Sequence, residues 1–250
     1  MDKIKAVVLA AGKGTRLQSE DNDAPKVMRR ANGKPLLWYV LEALSFIEKK
    51  DTIIVVGYKK DEIIDSFMGY IYAEQTEQLG TGHAVMAAAG ALRGFDGAVL
   101  VCYGDMPVIK QDTYQSLINA HIDQGNDCTI LTGESSIRLP YGRVLRDEHG
   151  GFLAVVEDSD CSREQLTITE LNSGVYVFSA PLLLDALGSL KPENKQGEYY
   201  LTDVPAIMSG SGARIGIHRR HLGNEIIGVN TIEQLIQVEE IICQGIGNRE

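Results

Sequence analysis

Short apolar runs rich in Val, Ile and Leu alternate along the chain with longer segments whose apolar positions recur every three to four residues. Continuous runs suit strands covered on both faces, and the periodic segments suit the helices that cover them. The runs predict strands at residues 4–10, 52–57, 98–103, 128–132, 152–157, 174–178 and 214–218. Pro35 opens a predicted helix with Leu36, Leu37, Val40, Leu41, Leu44 and Ile47 on one face. Further helices are predicted at 82–92 and 112–124, and a closing helix spans 231–242. The fold class is therefore α/β, a mixed, mostly parallel sheet flanked by helices, with a C-terminal helix. From about residue 133 the alternation is less regular, which predicts an antiparallel or mixed elaboration carried on the parallel part. With no Pro/Ser-rich linker, low-complexity tract or internal repeat, residues 1–230 are expected to form one domain, followed by a helix and tail at 231–250.

Composition narrows the function classes. The 250 residues are 44% hydrophobic and 23% charged, enough for a sizeable core. No run approaches the roughly 18–20 apolar residues of a membrane span, and the first residues lack a signal-peptide layout. A cytoplasmic protein with no membrane partner is expected. The net charge of −10 argues against a nucleic-acid partner. Residues 1–35 nevertheless carry eight Lys/Arg against four Asp/Glu, a basic island suited to a small polyanion. Cys102, Cys128, Cys161 and Cys243 form no C-x-x-C pair and are expected as buried, reduced thiols; the five histidines show no zinc spacing.

The first predicted strand runs into Leu9-Ala10-Ala11-Gly12-Lys13-Gly14-Thr15-Arg16, and Pro25-Lys26 follows. Small residues here let backbone N–H groups approach phosphate oxygens, although neither a dinucleotide fingerprint nor a Walker A loop is complete. Further along come Glu77-Gln78-Leu79-Gly80-Thr81-Gly82-His83-Ala84, Tyr103-Gly104-Asp105-Met106-Pro107, Tyr141-Gly142-Arg143, Glu170-Leu171-Asn172-Ser173-Gly174, Gly197-Glu198-Tyr199-Tyr200-Leu201-Thr202-Asp203 and Gly228-Val229-Asn230. In this order the motifs resemble sugar-phosphate nucleotidyltransferases. The detailed match is to the uridylyltransferase (pyrophosphorylase) half of the bifunctional N-acetylglucosamine-1-phosphate uridylyltransferase/glucosamine-1-phosphate acetyltransferase family, over residues 4 to about 240.

That resemblance implies a Rossmann-like nucleotidyltransferase domain whose small-molecule substrates are a nucleoside triphosphate and a sugar 1-phosphate. The implied reaction is Mg²⁺-dependent transfer of UMP from UTP to an amino-sugar 1-phosphate such as N-acetylglucosamine 1-phosphate, with release of pyrophosphate. By the same resemblance Arg16 and Lys26 hold the triphosphate as catalytic cations, and Asp105 and Asn230 hold Mg²⁺. Leu9, Ala10, Ala11, Gly12, Gly14, Gln75, Gly80 and Thr81 contact the nucleotide, Gln75 offering a donor and an acceptor to a uracil edge. Gly142, Glu157 and Asn172 orient the sugar, with Tyr103 and Gly104 forming the floor beside the metal. Taken singly, these cations, carboxylates and asparagines are commonly solvated charges or turn formers; the ordered set carries the reading.

Three departures accompany it. Ser159 stands where the family usually has a lysine two positions after the sugar-binding glutamate. Residues 18–24 form a longer, more acidic link than usual. No hexapeptide repeats follow the closing helix, so no acetyltransferase is expected, and a monomer or weak homodimer is. The alternatives are a nucleotidyltransferase for another base or sugar, for example one using GTP, and a non-catalytic nucleotide-sugar-binding protein.

Overall fold

The computed structural model describes residues 3–17, 23–134 and 139–247. Its strands are β1 (Ile4–Leu9), β2 (Arg30–Ala31), β3 (Lys34–Pro35), β4 (Thr52–Val56), β5 (Ile71–Glu74), β6 (Ala98–Tyr103), β7 (Cys128–Glu134), β8 (Arg143–Arg146), β9 (Phe152–Val156), β10 (Glu170–Ser179) and β11 (Ile215–Arg220). Its helices are α1 (Leu36–Ala43), α2 (Lys60–Ser66), α3 (Thr81–Ala87), α4 (Ala89–Leu92), α5 (Gln111–Asp123), α6 (Ala180–Leu187), α7 (Val204–Gly210) and α8 (Ile232–Gly247).

The apolar runs pair into one sheet in the order β11–β7–β10–β6–β1–β4–β5, with a β8–β9 hairpin attached through β10. β6, β1, β4 and β5 are mutually parallel, and β11 is parallel to β7, whereas β10 runs antiparallel to both its neighbours. Successive side chains on a strand point to opposite faces, so each run feeds two cores. Ala6, Val8, Ile54, Val56, Leu100 and Cys102 pack with α1, α2 and α5 on one face; Val7, Leu9, Ile53, Val55, Val99 and Val101 pack with α3, α4, α6 and α7 on the other. Each valine, leucine or isoleucine among them that is withdrawn from water contributes roughly 1.5–3 kcal/mol, which explains why these strands need no polar alternation.

A third, smaller cluster joins Val238 of α8, partly with Leu235 and Ile242, to Ala31, Leu36 and Leu17, so the closing helix covers the hairpin made by β2 and β3. The predicted mixed sheet and C-terminal helix are present. Among the described residues, no helix is long and apolar enough to cross a membrane. Several details differ from expectation. α1 ends at Ala43, and Leu44 and Ile47 reach the core from the turns that follow; the segment 82–92 divides at Ala88 into α3 and α4. Cys102 and Cys128 are buried as expected, but Cys161 is half-buried and Cys243 is exposed on α8, so the expectation of buried thiols holds for only two of the four.

Parallel strands place their carboxyl ends on one edge of the sheet, where ligands of open α/β folds bind. Here that edge gathers the residues after β1, β4, β5 and β6. Because β10 is reversed, its amino-terminal half lies on the same edge. There its pairing with β7 slips: four residue steps from Asn172 to Tyr176 oppose two from Thr132 to Ile130. The surplus residues bulge outward and carry Asn172, Ser173 and Gly174 to the edge.

Candidate active site

The chain leaves β1 with Gly104 N–H donating to Leu9 O (2.9 Å) and Ala10 N–H to Val55 O (2.8 Å), which fixes the start of the glycine-rich loop against two neighbouring strands. Gly14 adopts φ +68°, and a Cβ there would stand 2.7 Å from Lys26 Cβ. A left-handed glycine thus lets the loop turn closely over Lys26. Gly12 has open space around its Cα, as a backbone meant to receive a ligand requires.

Three residues far apart in sequence meet beneath that loop. The Lys26 ammonium donates to Asn230 Oδ1 (2.7 Å) and is ion-paired with Asp105 Oδ2. Both side chains of the pair are largely withdrawn from solvent. Asp105 follows β6, and its carbonyl accepts the Val229 N–H (2.9 Å), which anchors the loop carrying Asn230. Asn230 is held from α8 as well: Gln234 Oε1 accepts N–H bonds from Asn230 (2.7 Å) and Thr231 (3.1 Å), while Thr231 Oγ1 accepts from Gln234 N–H (3.3 Å). This reciprocal pair is a capping box at the start of α8. One carboxylate and one amide oxygen converging on a cation also suit a hard divalent ion that keeps most of its coordination shell for water and phosphate. The ammonium between them shows that this donor set accepts positive charge.

Two cavities open on either side of this cluster. One, of about 250 Å³, is lined by Leu9, Ala11, Gly12, Val27, Gln75, Gln78, Gly80, Ala84 and Glu198 together with Lys26, Thr81, Tyr103 and Asp105. The other, of about 320 Å³, shares those last four residues and adds Met106, Pro140, Tyr141, Gly142, Glu157, Asn172, Ser173, Gly174, Gly228 and Asn230. Gly80 sits at φ +109° with its Cα against the chain, where a Cβ would be 2.6 Å from Tyr199 O. The Gly197–Asp203 motif is therefore packed directly on the wall of the first cavity, with Gly82 N–H donating to Tyr199 O (2.7 Å) and Leu201 N–H to Thr81 Oγ1 (3.0 Å).

In the second cavity Asn172 is fixed from both ends: its Nδ2 donates to Tyr176 Oη (2.7 Å), and its Oδ1 accepts Gly174 N–H (3.1 Å). Gly174, at φ +79°, leaves room for the Tyr103 ring, whose Cε2 would lie 2.3 Å from a Cβ. Gly142 is likewise closely packed, a Cβ there falling 2.8 Å from Val155 Cγ1. Glu157 accepts from Thr202 Oγ1 (3.0 Å). Burial pushes its carboxyl above the usual range, and Asp203, Asp160 and Asp158 add to the effect against the Thr202 hydrogen bond. A desolvated acceptor of this kind suits a neutral hydroxyl more than a second anion. Burial also raises the Tyr103 hydroxyl far above its ordinary value, so it stays a neutral donor.

Of the sequence-predicted residues, Leu9, Ala11, Gly12, Gln75, Gly80, Thr81 and Lys26 border the first cavity, and Tyr103, Gly142, Glu157, Asn172, Asp105 and Asn230 border the second. Three expected residues border neither. Ala10 points into the core, Gly14 packs on Lys26, and Gly104 is wedged between Val27, Leu37 and Leu9 O. They shape the walls from behind. Arg16 lies on the short helical turn Thr15–Leu17, but its side chain is outside those described, as are residues 18–22 of the acidic link. The Gln75 Nε2 donates to Gly80 O (3.0 Å) and lies 3.2 Å from His83 Nδ1, so the donor half of the amide expected to meet a base is engaged within the wall. Ser159 is exposed and borders neither cavity, and the ammonium of Lys195 is bound to its carbonyl. Sequence reasoning missed Gln78, Glu198, Tyr141 and Gly174 as lining residues although the quoted motifs contain them; Gln234 had a signal in the Thr-x-x-Gln capping pattern.

Residues 6–201 match the family model described as MobA-like NTP transferase domain. A curated relative from Caldanaerobacter subterraneus subsp. tengcongensis, "Bifunctional protein GlmU", is 40% identical over 251 aligned residues, covering 100% of this chain and 54% of the relative. The protein of the same name from Streptococcus thermophilus is 39% identical over 238 residues, 95% of this chain and 51% of its own length. The chain thus spans about half the length of these curated relatives. Among solved structures, a UDP-glucose pyrophosphorylase complexed with UDP-glucose superposes with a TM-score of 0.76 at 18% identity, over 98% of this chain and 100% of the other.

Proposed function

We propose, from the premise that this chain belongs to the MobA-like NTP transferase domain family, that it transfers UMP from UTP to an amino-sugar 1-phosphate such as N-acetylglucosamine 1-phosphate. The observation that carries this reading is the meeting of two cavities at Lys26, Thr81, Tyr103 and Asp105, one for each substrate. A phosphate oxygen of the sugar 1-phosphate attacks the α-phosphorus as the bond to the bridging oxygen of the departing pyrophosphate breaks. The attacking oxygen is already anionic near neutral pH, so no protein base is needed; alignment and neutralisation of two polyanions supply the catalysis. At a junction of this kind those tasks fall to Lys26, with Arg16 proposed as the second cation. Open glycine backbone at Gly12 accepts the triphosphate. Glu157 and Asn172 take up sugar hydroxyl and amide groups, which orients the anomeric phosphate towards the junction. Asp105 and Asn230 would hold Mg²⁺, which screens the phosphate charge when bound.

The family match supports nucleotidyl transfer, the order of the motifs supports the choice of UTP and an amino-sugar 1-phosphate, and Ser159 does not border the second cavity. The test is a panel of nucleoside triphosphates against sugar 1-phosphates, read as pyrophosphate release. UTP with N-acetylglucosamine 1-phosphate in the presence of Mg²⁺ is expected to be the most active pairing. If no pairing releases pyrophosphate, the enzymatic reading fails; thermal stabilisation by a UDP-sugar without turnover would then favour a binding protein.

A further inference from the structure

We propose that His83 is the positioning residue that locks the Gln75 side-chain amide, so that Gln75 offers the nucleotide cavity its carbonyl oxygen and not its NH₂ group, and selects a base carrying a ring N–H. The proposal deepens the nucleotide assignment of the first cavity and rests on it. Gln75 follows β5, its backbone N–H fixed to Val56 O (2.8 Å), and it is only 4% exposed. Its Nε2 lies between two partners, Gly80 O at 3.0 Å and His83 Nδ1 at 3.2 Å. A carbonyl can only accept, so Gly80 decides which end of the amide is the NH₂ group. The second amide hydrogen is then directed at Nδ1 of His83, which accepts it in the Nε2–H tautomer.

With both donors used inside the wall, the group left for a ligand is Oε1. It accepts no hydrogen bond from a described residue, and Gln75 borders the cavity. A carbonyl oxygen offered to the base is matched by the N3–H of uracil and opposed by the unprotonated N3 of cytosine. A rotated amide, by contrast, would present NH₂ and reverse that preference. Gly80 is itself held in place: its φ of +109° is a glycine conformation, and its carbonyl also accepts the Ala84 N–H (3.1 Å) on the first turn of α3. Single-point attachment to Gly80 would still allow the side chain to swing. The second contact removes that freedom, and His83 does so from behind the wall, because it does not border the cavity.

Calorimetric titration of the protein with UDP and with CDP tests this without requiring turnover. Wild type is expected to bind UDP about tenfold or more tightly than CDP, the difference between a satisfied and an opposed buried acceptor. In His83→Leu the ratio should fall to roughly threefold or less. His83→Asn, whose Oδ1 can replace Nδ1 as acceptor, should keep the wild-type ratio within about twofold. A role confined to packing α3 would weaken UDP and CDP equally in both variants, and that result overturns the proposal. Equal binding of UDP and CDP by wild type overturns it without recourse to any variant. If wild type binds neither nucleotide, the assignment of the cavity itself fails; if it binds both and turns over UTP while the ratio ignores His83, only the inference fails.

Discussion

Replacing Lys26 by Met should tighten the binding of a divalent ion to the nucleotide-free protein, although the same change removes a proposed catalytic cation. In the free protein the Lys26 ammonium occupies the space between Asp105 and Asn230, touching both oxygens that would hold the ion. An incoming ion must displace it. Opposite unit charges in contact attract by roughly 5 kcal/mol at an effective dielectric of about 20. Desolvation of both groups and the immobilised lysine stem offset most of that, leaving a net cost of displacement of about 1–2 kcal/mol. Met keeps the length of the stem and removes the competitor, so affinity should rise by roughly 5- to 30-fold. Titration with Mn²⁺, following the electron paramagnetic resonance signal of the free ion, measures this directly. Asp105→Asn should bind more weakly than wild type in the same assay. A Lys26→Met protein that holds Mn²⁺ no more tightly than wild type would refute the reasoning, because the ammonium and the ion would then not share a seat.

Three further outcomes follow from the site. Gly80→Ala places a Cβ 2.6 Å from Tyr199 O at a φ of +109°; a cost of about 3 kcal/mol should lower Tm by roughly 6–12 °C for a chain of this size, and an unchanged melting curve would contradict it. Gln234→Ala removes the acceptor of the Asn230 and Thr231 N–H groups, so calorimetry should record a loss of about 1 kcal/mol and Mn²⁺ should bind a few-fold more weakly. Glu157→Gln tests the raised carboxyl: its ionisation is penalised in the folded state, so wild type is relieved of that penalty at acid pH and bears it as pH rises through the elevated folded value. The variant's Tm should therefore match wild type below about pH 4, exceed it near pH 8, and be accompanied by weaker binding of the sugar 1-phosphate; a difference in Tm independent of pH would remove Glu157 as the cause.

Legibility in the sequence followed the physics of each element. β6 is buried almost throughout and reads as an uninterrupted apolar run, and β1 does the same from Ala6 onward, after Lys5. β5, which delivers Gln75, is a four-residue edge strand of half-buried and exposed positions, so it carries no continuous run and was not anticipated. α6 and α7 are eight and seven residues long, too short for a full periodic stripe, although each has a proline in its first turn. The site residues stood out because their motifs form an ordered set, not because any one was distinctive. What the sequence could not convey was which atoms remain free. Nothing in the letters shows that Lys26 bonds to Asn230, 204 positions away, or that the Gln75 NH₂ is consumed by its own wall.

The reversed strand β10 has a consequence for how the chain assembles. Nine of its ten residues are buried, and it fills the slot between β6 and β7, both of which emerge earlier in translation. Until residues 170–179 arrive, β6 and β7 each present an unpaired strand border, a template for intermolecular strand addition. Nascent chains arrested before that segment should aggregate, whereas those extending through it can join β6 to β7 and, in the same event, deliver Asn172 and Gly174 to the edge that carries the two cavities.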